Sequence, residues 1–402
     1  MPALTPSSPS SAARRLTVMG IMGTTQILGF GTTAYLPAVL AAPMSRDTGW
    51  ALGSVVAGLS LGYLVAGFSS PRAGRLIDRF GGRPVLGGSS LLFAIGLALM
   101  GLAPNLVVYY LAWAVLGLGM AAGLYDAAFA TLARLYGESA RATMSGLTLI
   151  GGFASTLAWP LISVLETGFG WRDTCLILAA VHLLVGLPLH GFGVPRVERQ
   201  SVMHQSPPAH REAVSAAQRA ATRLLILVAL LFTLQSLAAS SLSVHLLELL
   251  RQLGIAAATA LAIGMLLGPG QVAGRLAEFT LGRRLHPTWS TRIGVLLCVL
   301  GIALLLPAVP ALAFVAIALY GAGNGMLTVA RGALPLALFG REGYGQRIGL
   351  IARPMLLAQA CGPILAALVL EKLGASLALA WLCLLVAASC VVSWRLPARR
   401  KG

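Results

Sequence analysis

Apolar residues recur in runs near 20 residues long from one end of the chain to the other, and no gap between them is wide enough for a soluble domain. The runs predict helices at 16–40, 50–70, 84–103, 106–133, 143–166 and 173–193, then at 223–249, 256–278, 292–309, 311–338, 348–370 and 375–395. A helix needs about 20 apolar residues to cross the bilayer core, so each run reads as a span. The pattern predicts an all-α membrane protein of twelve transmembrane helices. The one long polar stretch, 195–222, divides them six and six, giving an N-terminal bundle over 1–194, a linker, and a C-terminal bundle over 223–402. The first run follows a basic start at Arg14 and Arg15 but is longer than a signal-peptide core, so it reads as the first helix. Gly268-Pro269-Gly270 is expected to break the eighth helix.

Composition narrows the class. Of 402 residues, 57% are hydrophobic and 10% charged, and the mean hydropathy is +0.84, whereas soluble domains carry about a quarter charged residues. A water-soluble enzyme is excluded. Lys and Arg outnumber Asp and Glu 29 to 12, a formal charge of +17. With the N-terminus inside, Arg14, Arg15, the 72–83 segment, Arg134, Arg141, the linker, the 283–292 segment, Arg341, Arg347 and the tail share one face, leaving Arg46, Arg172, Arg251 and Lys372 opposite. Positive segments stay on the cytoplasmic side, so both termini are expected there, and the charge excess reflects topology rather than nucleic-acid binding. The preference for Arg, 27 against two Lys, points to a GC-rich bacterial genome and hence an inner membrane. The five cysteines fall in apolar runs without metal-ligand spacing and read as buried packing residues; neither a metal nor a cofactor is expected.

An internal repeat is the most informative pattern. Gly74-Arg75-Leu76-Ile77-Asp78-Arg79-Phe80-Gly81-Gly82-Arg83 after the second run returns as Gly274-Arg275-Leu276-Ala277-Glu278 and Gly282-Arg283 after the eighth, at a constant offset of 200. Gly137, Gly146 and Pro160 return as Gly340, Gly349 and Pro363 at an offset of 203. Two pseudo-symmetric halves of common origin explain both offsets.

The segment from Gly74 to Pro84, its second copy and the 6+6 layout resemble the major facilitator superfamily, with Gly82 standing where that family usually has a basic residue. The resemblance implies a rocking-bundle transporter whose first, fourth, seventh and tenth helices line a central cavity. It also implies a cytoplasmic gate of Gly74, Asp78, Arg79, Gly81 and Arg83 with Gly274, Arg275 and Glu278, in which Asp78 meets the start of the eleventh helix near Gly349, and Arg134. Gly74 and Gly81 are expected to make the tight turn that places Asp78. A plain topology anchor is the competing reading of the loop.

Charges inside apolar runs are costly, about 2.5–3.5 kcal/mol even on insertion scales. Three stand well inside: Asp126, Arg331 and Arg353. The resemblance puts Asp126 and Arg331 on opposite cavity walls. Arg331, a forked donor, is the candidate anchor for an anionic substrate, or else the structural partner of Asp126 or a snorkelling side chain. Asp126 is the candidate proton carrier, or one half of a fixed salt bridge. Arg353 is assigned to packing or the gate. Gln26, Tyr35, Tyr125, Gln235 and Asn324 are the uncharged candidates for substrate contact.

No Walker loop, Gly-x-Ser-x-Gly or His-Glu-x-x-His is present, which disfavours ATP-driven transport and a membrane-embedded enzyme; the short tail disfavours a sensor. The fifth run lacks the glycine-proline pattern of proton-coupled drug antiporters. The motif loop, Trp50 and Arg331 are more similar to the bacterial monocarboxylate and organic-anion branch, although the eighth run has Gly270 where those carriers show an intramembrane arginine. The expectation is a monomeric secondary transporter of a small organic anion driven by a proton gradient, with efflux of a cationic or neutral compound as the alternative.

Overall fold

The computed structural model describes residues 9–196 and 211–398, and all their regular structure is helical. Helices α1 (Pro9–Gly31) and α2 (Leu36–Thr48) are followed by α3 (Leu52–Phe80) and α4 (Gly82–Gly101). Next come α5 (Leu106–Gly123), α6 (Tyr125–Tyr136), α7 (Ala140–Gly151) and α8 (Ala154–Val181), the last continued by two π-helical turns, His182–Gly186 and Leu189–Gly193. After the linker come α9 (Arg211–Gln252), α10 (Ala257–Met265), α11 (Leu267–Thr280), α12 (Pro287–Ala303), α13 (Pro310–Phe339) and α14 (Tyr344–Trp394). Eight of the described helical runs are long and apolar enough to cross a membrane. Most of the expected linker, 197–210, lies outside the described residues, and α9 begins at Arg211 rather than 223.

Several predicted single helices are interrupted. The first breaks at 32–35, where the Thr32 hydroxyl donates to Leu28 O (2.8 Å) and so accepts from His182 Nε2 (2.8 Å). The fourth breaks at Leu124, whose backbone is extended (φ −80°, ψ −170°). The eighth breaks at Leu266, slightly ahead of Gly268-Pro269-Gly270; the ring of Pro269 crowds the carbonyl four residues back, and the disruption falls there.

Conversely, α8 and α14 each run on through a corner, at Gly170 (φ +78°, ψ 167°) and Gly374 (φ +78°, ψ 174°). That left-handed backbone is open only to glycine without strain. Gly137 and Gly340, paired by the repeat, likewise cap α6 and α13 at positive φ.

In lipid, apolar side chains gain little by leaving the solvent, so helices associate through close packing and hydrogen bonds. Gly58 on α3 receives the Trp113 indole of α5, and Tyr109 donates to Val55 O (2.6 Å). In the second set, Gly294 and Gly323 bring α12 and α13 together, and Gly274 and Gly325 do the same for α11 and α13. Leu102, Val107, Leu184 and Phe192 are largely exposed, as a lipid-facing surface requires. Cys175 and Cys298 are buried as expected, whereas Cys361 is exposed and Cys383 and Cys390 are half-buried, because the outward faces of lipid-bathed helices also read as apolar.

Candidate functional site

A cavity of about 220 Å³ lies between α1–α6 on one side and α9–α14 on the other. Three charged side chains line it: Asp126, Arg275 and Arg331. Another concavity, about 570 Å³, lies at the Gly170 corner of α8 beside Arg46 and Asp47, with acids and arginines mixed along its wall and no contribution from α9–α14.

Asp126 and Arg331 form a forked ion pair across the cavity. Arg331 Nε donates to Asp126 Oδ1 at 2.8 Å, and Nη2 contacts Oδ2. Their side chains are 12% and 19% exposed. The break at Leu124 explains how the carboxylate comes to be there, since it makes Asp126 a first-turn residue of α6, where free amides favour an anion. The break also leaves the carbonyl of Gly123 for an outside donor, and Gln26 Nε2 supplies it at 2.7 Å. Gln26 is therefore fully buried and outside the cavity lining, bracing the break that presents Asp126.

Arg275 is the residue that reading the sequence missed as a cavity group. The family resemblance assigns it to the gate and implies no intramembrane arginine in the eighth run, where Gly270 stands. Because α11 runs to Thr280, Arg275 stands more than a turn inside it and its side chain reaches the cavity. Among the described residues it makes no ion pair. Its Nη2 donates to Gln271 Oε1 at 3.5 Å, its Nε is buried without a partner, and the residue is 8% exposed. Its guanidinium lies against Gly152, where a Cβ would collide with Nη1. The repeat carries no signal of this, since Arg75, its counterpart in the first half, is exposed.

Tyr35, Tyr125, Gln235 and Asn324 line the same cavity. Gln235 is partly committed, its Nε2 donating to Ser389 Oγ at 2.6 Å. Arg353 is exposed and lies over the Phe68 ring (5.0 Å), joining α14 to α3.

At the motif end, helices from the two sides of the cavity are in direct contact. Asp78 accepts from Gly345 N (2.9 Å) and Gln346 N (2.8 Å), the first amides of α14, so the contact falls one turn before Gly349, which packs on Ser70 and Pro71. Arg134 donates to the carbonyls of Ile77 and Asp78. Gly81 makes the turn (φ +85°), but Gly74 does not: it sits inside α3, where any Cβ would strike the carbonyl of Gly345. Gly274 is packed in the same way on Ala322. Arg79 is exposed and stacks on Phe80 (5.0 Å), while Arg83 is half-buried near the start of α4. Glu278 pairs with Arg141 Nη2 at 2.6 Å, and the same nitrogen donates to Ser290 Oγ at 3.0 Å. Arg141 was not singled out from the sequence, although carrying the Asp78 contacts back by the 203-residue offset leads to positions 142 and 143, beside it.

Residues 21–290 match the Major Facilitator Superfamily. Monocarboxylate transporter 11 of Mus musculus is 34% identical over 145 residues, 35% of this chain but only 30% of that protein, so the chain matches less than a third of this relative's length. The human organic anion transporter MFSD10 (TETRAN) superposes over 96% of this chain and 100% of its own with a TM-score of 0.70 at 17% identity. The E. coli fucose:proton symporter FucP does so over 94% and 98% with a TM-score of 0.68 at 16% identity. The chain therefore belongs to the Major Facilitator Superfamily, a family of multi-pass membrane transporters.

Proposed function

We propose that this transporter moves a small organic anion together with a proton, by rocking of two six-helix halves about the cavity. The observation that carries the reading is the uncompensated Arg275. The Asp126 and Arg331 charges cancel, so the cavity carries one net positive charge, buried and without a counter-ion. An unpaired buried charge is expensive, and a substrate carboxylate relieves that cost with charge-assisted hydrogen bonds. A cationic substrate would add to the cost.

Protonation of Asp126 is the coupling step in this reading. A neutral carboxyl releases Arg331, which becomes a second donor to the anion, with Tyr35, Tyr125 and Asn324 beside it. Loaded with one proton and one monoanion, the cavity carries the same net charge as when empty. Both forms then cross the rocking transition with the same charge, and transport is electroneutral. The close contacts at the motif end, with the positive segments there, support reading the present arrangement as closed toward the cytoplasm.

Twelve spans arise from the fourteen helices when the corners at Gly170 and Gly374 are counted as turns and the breaks at 32–35, Leu124, 152–153 and Leu266 as interruptions within spans. The positive segments support cytoplasmic termini, and the arginine usage supports a bacterial inner membrane. A cavity shared by both halves of one chain supports a functional monomer. The relatives named monocarboxylate and organic anion transporters and the proton-coupled neighbour FucP agree with the substrate class and the coupling ion.

The test is uptake of a labelled organic-acid panel into proteoliposomes with and without an inward proton gradient, for wild type and Arg275→Gln. Gradient-stimulated uptake that depends on Arg275 is the expected result. Uptake of cationic or neutral compounds in its place would overturn the anion assignment and leave the fold untouched.

A further inference from the structure

Five of the 21 residues lining the cavity are aromatic, Phe30, Tyr35, Tyr63, Tyr125 and Phe232, whereas aromatics make up 7% of the chain. A second aromatic group, Trp50, Tyr109, Tyr110 and Trp113, packs α5 away from the cavity, but its rings face one another, whereas the five at the cavity border open space. The rings are held from behind. Tyr125 stacks on Phe129 (5.6 Å, nearly parallel), and Trp159 meets Tyr35 edge-on at 6.0 Å. Phe30 bridges them, 4.7 Å from Tyr125 and 6.5 Å from Tyr35.

The aromatic group and the free cation are neighbours. At the turn between α7 and α8, a Cβ on Gly151 would come within 2.6 Å of the Tyr125 hydroxyl, and one on the adjacent Gly152 would strike the Arg275 guanidinium. One end of the cavity thus offers a forked cation and the wall beside it offers π faces and edges. At about 220 Å³ the space lies below the roughly 300 Å³ at which drug-sized pockets begin, which leaves room for one ring with a short substituent.

Resting on the anion reading above, we infer that the substrate is an aromatic monocarboxylate of about benzoate size. Its carboxylate sits on Arg275 and its ring packs among Phe30, Tyr63 and Tyr125. The single net charge selects a monoanion over a dianion, and offset or edge-to-face ring contacts select an aromatic over a saturated ring.

The experiment compares labelled benzoate with cyclohexanecarboxylate, which has the same carbon count and charge but no π face, and with pyruvate, in proteoliposomes under an inward proton gradient. Wild type is expected to prefer benzoate over cyclohexanecarboxylate about tenfold in half-saturating concentration. Phe30→Leu and Tyr63→Leu should bring that ratio toward one, while Tyr63→Phe, which keeps the ring, should retain it and so separate loss of the ring from loss of folding. Equal affinity for the two ring acids in wild type overturns the aromatic assignment, and Arg275-dependent pyruvate uptake in the same preparation would leave the anion reading standing. Absence of Arg275-dependent uptake of all three acids overturns both.

Discussion

Arg275 and the Asp126–Arg331 pair divide the work of the cavity between a charge that is free and a charge that is held. Replacing Arg275 with Gln removes a charged hydrogen-bond donor, worth about 1.5–3 kcal/mol, so the half-saturating anion concentration should rise roughly 10- to 100-fold in initial-rate uptake assays. The pair behaves differently. Asp126→Leu leaves Arg331 buried without its partner, and thermal unfolding in detergent should show a loss of about 3–5 kcal/mol, most of it recovered in Asp126→Leu/Arg331→Met. An additive double variant would mean the two side chains do not interact. At this scale the sequence was partly legible: Asp126 and Arg331 stand out because charge in an apolar run is costly. Arg275 was hidden, because proximity to a polar motif made it look like part of the gate, and only the length of α11 shows that it reaches inward.

The elements owe their function to interruptions more than to length. Hydropathy reveals where a span lies but carries little trace of a break such as Leu124, since Gly123-Leu124-Tyr125 reads as continuous apolar helix. The break shows in the extended backbone of Leu124, and Gln26 takes up the Gly123 carbonyl that it leaves. Gln26→Leu keeps the bulk and removes the donor, leaving a buried carbonyl unsatisfied at a cost of about 1–3 kcal/mol. The melting temperature should fall, and proton-driven uptake should suffer more than folding does because Asp126 loses its placement; unchanged coupling in a folded Gln26→Leu protein would contradict that role. Glycine meaning was likewise only half legible. Gly81 is a turn, as the sequence suggested, whereas Gly74 permits contact between α3 and α14, which depends on a partner more than 250 residues away.

For the whole molecule, we propose that the two copies of the motif act as paired latches. Asp78 holds the first amides of α14, and Glu278 holds Arg141 at the start of α7, so each half grips the other at the same end of the cavity. A carboxylate at a helix N-terminus contributes about 0.3–1 kcal/mol when exposed and up to about 2 when partly buried, a range in which one substitution shifts a two-state equilibrium several-fold. Asp78→Asn should therefore populate the form open at the motif end. Pulsed electron spin resonance between labels at Arg79 and Arg341, both exposed, should show a second, longer distance that is weak in wild type. A distance distribution unchanged from wild type would make the motif a topology device and not a latch. The offsets of 200 and 203 point to two related halves, and carrying the Asp78 contacts back by 203 leads to positions 142 and 143, beside Arg141. Which charges end up free was not readable, because that depends on how the halves meet.

The central claim is that Arg275 binds the anion and Asp126 couples it to the proton, and exchange of a labelled organic acid across proteoliposomes at equal pH separates the two roles. Exchange needs an anchor but no net proton movement. The account predicts that Asp126→Asn retains exchange while losing gradient-driven accumulation, and that Arg275→Gln loses both. Exchange that survives Arg275→Gln at the wild-type rate would contradict it.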